Sequence, residues 1–200
     1  MPASAEDPGG DFASFADWVW NQAAMCLTFA RGLSREQMLE GFGLGPGRAA
    51  EETLREADEA AHLARLTSSA GLGRPRVRVG ERDGWGYAVE HLTNRGSEER
   101  TLRRLSAMGG EAFALSFTQK IITFWYAAAG ERVCGFDLTV PHVRWGPHPH
   151  RFDAEMERAG FLRPDPADPV ATGARFVQLA FGITIDREML ERPLLSVELT

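Results

Sequence analysis

Glu90 is the residue whose surroundings most invite chemistry. It stands in Trp85-Gly-Tyr-Ala-Val-Glu-His91, where strand alternation puts Trp85, Tyr87 and Val89 on one face and Gly86, Ala88 and Glu90 on the other. A carboxyl over a Gly/Ala floor, with Trp85, Tyr87 or Trp125 as walls, can sit in a pocket that raises its pKa and suits it to proton transfer. The structural alternative, favoured here, is an ion pair from Glu90 to Arg103 or Arg104. Asp137, beside Phe136, invites the same two readings.

Three histidines, His142, His148 and His150, fall within nine residues and Asp153 follows. Imidazole and carboxylate together suit zinc or another transition metal. The spacing matches no established ligand pattern, so His148 and His150 are weak metal candidates and a solvated loop is favoured. Arg144-Trp145-Gly146 joins a planar cation to an aromatic ring, a pair that anchors ligands or partners unless Trp145 folds back on a sheet edge. Gly41-Phe-Gly-Leu-Gly-Pro-Gly47 fails as a phosphate loop. No strand precedes it, and Glu51 and Glu52 open the segment that follows. No nucleophile elbow, ordered Ser-His-Asp set or helical H-E-x-x-H is present. No cofactor is expected.

These residues need a scaffold. Phe12, Phe15, Val19, Gln22, Cys26, Phe29 and Leu33 recur at helical spacing, which predicts one aromatic-rich helix from Asp11 to about Leu33. Ser34 caps a short helix to Phe42, and residues 48–66 read as an Ala-rich helix with an acidic face. Arg76 to His91 alternates around Asp83-Gly84 as a hairpin, and a helix follows from Ser97 to Gly109. Three further strands are predicted around 113–117, 120–128 and 132–138. Short helices at 152–159, after Pro169 and after Asp186 complete the chain. The expectation is an α+β fold, with a mainly antiparallel sheet of about five strands over 76–138 packed by N-terminal and C-terminal helices. Residues 1–10 read as a disordered acidic N-terminus, and 11–200 as one domain.

Composition narrows the function classes. The 200 residues carry 28 acidic and 22 basic side chains, a formal charge of -6, which is the wrong sign for a dedicated nucleic-acid binder. Only Lys120 among the bases is a lysine. No apolar run spans a bilayer and no secretory leader opens the chain, so a cytoplasmic location is expected. Cys26 and Cys134 lie in apolar surroundings and read as buried free thiols. Glu51, Glu52, Glu56, Asp58 and Glu59 gather on the third helix, where a basic partner would dock.

Cys26-Leu-Thr-Phe-Ala-Arg-Gly-Leu33, Arg78-Val-Gly-Glu-Arg-Asp-Gly-Trp-Gly-Tyr-Ala-Val-Glu90, Leu102-Arg-Arg-Leu-Ser106, Phe136-Asp137 and Pro193-Leu-Leu195 occur in that order. Over Trp18 to Leu195 the chain resembles an uncharacterised actinobacterial family of unknown function. The resemblance implies a one-domain bacterial protein and is silent about chemistry. The leading expectation is a non-catalytic binding protein of immunity or conflict-system type with a basic protein partner. The alternative is a small-molecule protein or enzyme of secondary metabolism. It would use Glu90 or Asp137 as acid/base, with Trp85, Tyr87, Trp125, Arg144 and Trp145 as binding residues.

Overall fold

A computed structural model describes residues 12–20, 24–45, 47, 49–67, 75–118, 121–163 and 168–199. The expected disorder of residues 1–10 and the helical position of Gln22 lie outside the described residues. The described part forms seven α-helices and one nine-stranded sheet, α+β in class. No helix among the described residues is long and apolar enough to cross a membrane.

The predicted first helix divides. Phe12–Trp20 is helix α1, but Ala24–Arg31 is strand β1, which lies between two long neighbours at the middle of the sheet. Six successive residues from Met25 to Ala30 are buried, so the strand is apolar on both faces and its 3–4 spacing was accidental. Helix α2 (Arg35–Gly41) starts as expected on Ser34, which forms a reciprocal capping box with Gln37. Ala50–Glu52 is a short strand, β2, so the next helix, α3, begins only at Leu54 and runs to Thr67.

The five expected strands are all present, as β3 (Arg76–Arg82), β4 (Trp85–His91), β5 (Glu111–Thr118), β6 (Ile122–Ala128) and β7 (Glu131–Asp137). Helix α4 (Glu99–Gly109) connects β4 to β5. After β7 come β8 (Arg144–Trp145), α5 (Asp153–Ala159), α6 (Pro169–Phe181), α7 (Arg187–Glu191) and β9 (Leu194–Glu198). The strand order is β2-β9-β3-β4-β1-β5-β6-β7-β8, with every neighbouring pair antiparallel. The expectation of about five strands is therefore short by four. Besides β1, the missed strands are β2 and β8, too brief to alternate visibly, and β9, which follows a proline.

The sheet separates two cores. One face presents Phe29, Tyr87, Phe113 and Phe124 and packs under α1, α5, α6 and α7. The opposite face presents Ala88, Ala112, Ala114 and Ala127 and packs under α2 and α4. Small side chains on that second face let α4 lie close to the sheet. Cys26 and Cys134 are buried free thiols in different cores.

Candidate functional site

Glu90 lies on the small-residue face, wholly buried and opposite Cys26 in the β4–β1 pairing. Its oxygens accept from the backbone N–H groups of Arg95 at 2.9 Å and Gly96 at 2.7 Å. These belong to a 3-10 turn at 95–97 that closes over the carboxyl. The seal leaves no room: a Cβ on Gly96 would stand 1.8 Å from Thr28 Oγ1 and 2.6 Å from Glu90 Oε1. Burial pushes the Glu90 pKa up to about 7 against the pull of those donors. The same burial, with Glu90 alongside, pushes the Cys26 thiol well above its ordinary value.

The favoured ion pair to Arg103 or Arg104 does not form. Helix α4 turns Leu102 and Leu105 inward, so both arginines face out. Arg103 reaches the Gly130 carbonyl and Glu131, while Arg104 reaches the Glu40 carbonyl. Asp137 caps its own turn, accepting from Thr139 N–H at 2.8 Å, Thr139 Oγ1 at 2.6 Å and Val140 N–H at 3.3 Å. That is the work of an Asx turn.

The proposed binding residues fall into separate groups. Trp85 and Tyr87 are in the phenylalanine-rich core, across the sheet from Glu90. The Tyr87 hydroxyl donates to the Met189 carbonyl at 2.9 Å, and burial raises its pKa to about 12. Trp125 and Trp145 do come together, their rings stacked at 5.1 Å on the small-residue face, with the Arg132 guanidinium 3.4 Å from the Trp125 centroid. Trp145 thus folds back over the sheet while keeping 37% of its surface exposed. Arg144 pairs with Asp153, and His150 Nδ1 lies 3.1 Å from the same carboxylate. His142 and His148 are exposed. Among the described residues no group of three or more His, Cys, Asp or Glu is placed to hold a metal ion.

The five acids expected on the third helix do not all lie there: Glu51 and Glu52 are on β2, and only Glu56, Asp58 and Glu59 are on α3. Glu51 pairs with Arg35 at 2.6 Å, Glu52 with Arg76 at 2.8 Å, and Glu56 exchanges bonds with Thr53 to cap α3. Asp58 and Glu59 instead line a cleft of about 530 Å³ with Trp18 of α1, Leu54 and Arg55 of α3, and Glu191 of α7. Glu59 pairs with Arg55, and Glu191 with Arg187. Asp58 has neither an ion pair nor a hydrogen bond among the described residues, and partial burial raises its carboxyl above the ordinary value. Behind this wall the buried Arg78 guanidinium donates to the carbonyls of Glu52, Leu190 and Arg192, tying α7 to β2. Trp18 and Glu191 escaped the sequence reading because they join Asp58 only through the packing of three helices.

Comparison with known proteins gives one match. The model of the family of unknown function DUF6461 covers residues 5–183, most of the chain. No curated protein and no solved structure matches it.

Proposed function

The chain belongs to the DUF6461 family of unknown function, and on that premise we propose that it is a non-catalytic binding protein whose acidic cleft takes a cationic side chain of a basic protein partner. The observation that carries the reading is Asp58, a carboxyl without a partner in a cleft walled by an indole and two further carboxylates. An incoming guanidinium or ammonium group would pair with Asp58 and lie over Trp18, gaining a charge-assisted bond and a cation–π contact. The net charge of -6 would speed encounter with such a partner. An immunity or conflict-system protein, which covers a basic partner, suits this mode, and so does a location in the bacterial cytoplasm.

The enzyme alternative draws its support from the Glu90 carboxyl, whose pKa of about 7 suits proton transfer. Against it stand the turn that seals Glu90 and the placement of Trp85 and Tyr87 on the other face. The test is titration with an arginine-rich peptide and a glutamate-rich control, read by the indole NMR signal of Trp18. Saturable binding of the cationic peptide should weaken about ten-fold or more in Asp58→Asn, as loss of one charge-assisted bond implies. Equal response to both peptides, or an affinity that Asp58→Asn leaves unchanged, would overturn the reading.

A further inference from the structure

On the small-residue side of the sheet the lining of a cleft is of the reverse charge. A second cleft, of about 370 Å³, opens between the C-terminal end of α2 and the first turn of α4. Three arginines, Arg95, Arg100 and Arg104, are among the residues that line it, against one acidic residue, Glu98. Arg95 and Arg100 have no acidic partner among the described residues. Arg104 is held by the Glu40 carbonyl and lies against Gly43, whose positive φ of 77° keeps the loop free of a side chain there.

Helix α4 points its N-terminus at this space. No side chain caps it, so the amides of its first turn keep the donors and partial positive charge that favour an anion. A separate feature points the same way. Thr101, 6% exposed, lines the cleft, and its hydroxyl has no hydrogen-bond partner within the described residues. A hydroxyl on a residue this buried, lining a cationic cleft, is placed to take its partner from a ligand.

We infer that this cleft is a binding site for a small phosphomonoester, with its phosphate held by Arg95, Arg100, Arg104 and the first turn of α4. Guanidinium forks match phosphate oxygens in pairs, and Thr101 adds a neutral donor. The volume exceeds what a bare oxyanion fills and falls at the small end of the roughly 300–1,000 Å³ of small-molecule sites. Glu98 would accept from a hydroxyl on the ligand's carbon skeleton. The site is independent of the acidic cleft.

The test uses the whole protein, with inorganic phosphate and glucose 6-phosphate as probes and glucose as control, read by calorimetry at constant ionic strength. Both phosphates should bind with one-to-one saturation, the sugar phosphate more tightly, and glucose should not bind. Arg95→Gln with Arg100→Gln replaces two outward-facing charges and should weaken both phosphates about ten-fold or more. Thr101→Val preserves shape and removes only the hydroxyl. It should leave the melting temperature without ligand unchanged and weaken phosphate binding. Absence of saturation by either phosphate would overturn the proposal. So would equal affinity in the arginine double variant, or a drop in ligand-free stability in Thr101→Val, which would give the hydroxyl an internal partner.

Discussion

One face of the sheet carries Phe29, Phe113, Phe124 and Phe136, and the other carries alanine, glycine, threonine and a buried glutamate. On the first face stability comes from ring against ring: Phe113 stacks on Phe29 at 4.7 Å and on Phe181 at 4.2 Å. On the second, small residues admit α4 and the 95–97 turn, and backbone N–H groups satisfy a carboxyl that has no cation beside it. The clefts differ in the same way. The acidic one lies where α1, α3 and α7 meet on the aromatic side, the arginine-lined one where α2 and α4 meet on the other. Charge enters the aromatic side where backbone carbonyls receive it, as they do the buried Arg78 guanidinium, and the two clefts are lined by side chains of opposite sign.

The sharpest break of this contrast is Phe113→Ala. Loss of a fully buried ring with two stacked partners should cost about 3–5 kcal/mol in urea unfolding. Val79→Ala, buried on the small-residue side, should cost about 2 kcal/mol. Equal losses would mean that the two faces bear the fold alike.

A second test concerns the polar residues at the end of β4. Glu90 has an ordinary pKa of 4.5 and about 7 in the fold. Between those values the native state holds a proton that the unfolded chain has released, so Glu90 makes stability fall as pH rises. His91, whose pKa burial lowers from 6.5 to about 4, does the reverse: the unfolded chain is protonated there and stability rises with pH. Each slope integrates to roughly 3 kcal/mol, and over the shared window they offset, leaving the wild-type profile nearly flat. Glu90→Gln should expose a rise from pH 4 to 6.5, on a baseline lowered by one lost backbone acceptor. His91→Gln should expose a fall from pH 4.5 to 7. Urea midpoints measured across this range decide it. Three parallel profiles would remove both groups from the account.

The smallest effect is expected where the small-residue face is uncovered. Trp145→Ala removes a partly exposed ring and its stack on Trp125, a loss of about 0.5–1.5 kcal/mol with an unchanged denaturant slope. A loss as large as that of Phe113→Ala would make the Trp125–Trp145 pair part of the core.

Much of the scaffold was legible because its signals are local. Ser34 and Asp186 announce helix starts through their own side chains, and Asp83-Gly84 sets the β3–β4 hairpin through positive φ at both turn residues. The segment 24–31 was misread because a strand buried on both faces shows no alternation, and its apolar residues also satisfy the helical period. The candidate sites were half legible. The acidic run expected on one helix divides: Glu51 and Glu52 lie on β2, where Arg35 and Arg76 neutralise them, and of the five acids Asp58 has no ion pair or hydrogen bond among the described residues. Arg100 and Arg104, four apart on a helix, carried a signal for the arginine-lined cleft that went unread.

The sequence by itself determined the α+β class, the β3–β7 strands, the caps of α2 and α7 and the excess of acid, because each depends on neighbouring residues or on composition. The tertiary structure decided where β1 inserts, which arginines meet which carboxylates, and that Trp18, Asp58 and Glu191 share one cleft while Arg95 and Thr101 share another. Those outcomes depend on distance between segments far apart in the chain, which nothing in the local pattern of either segment encodes.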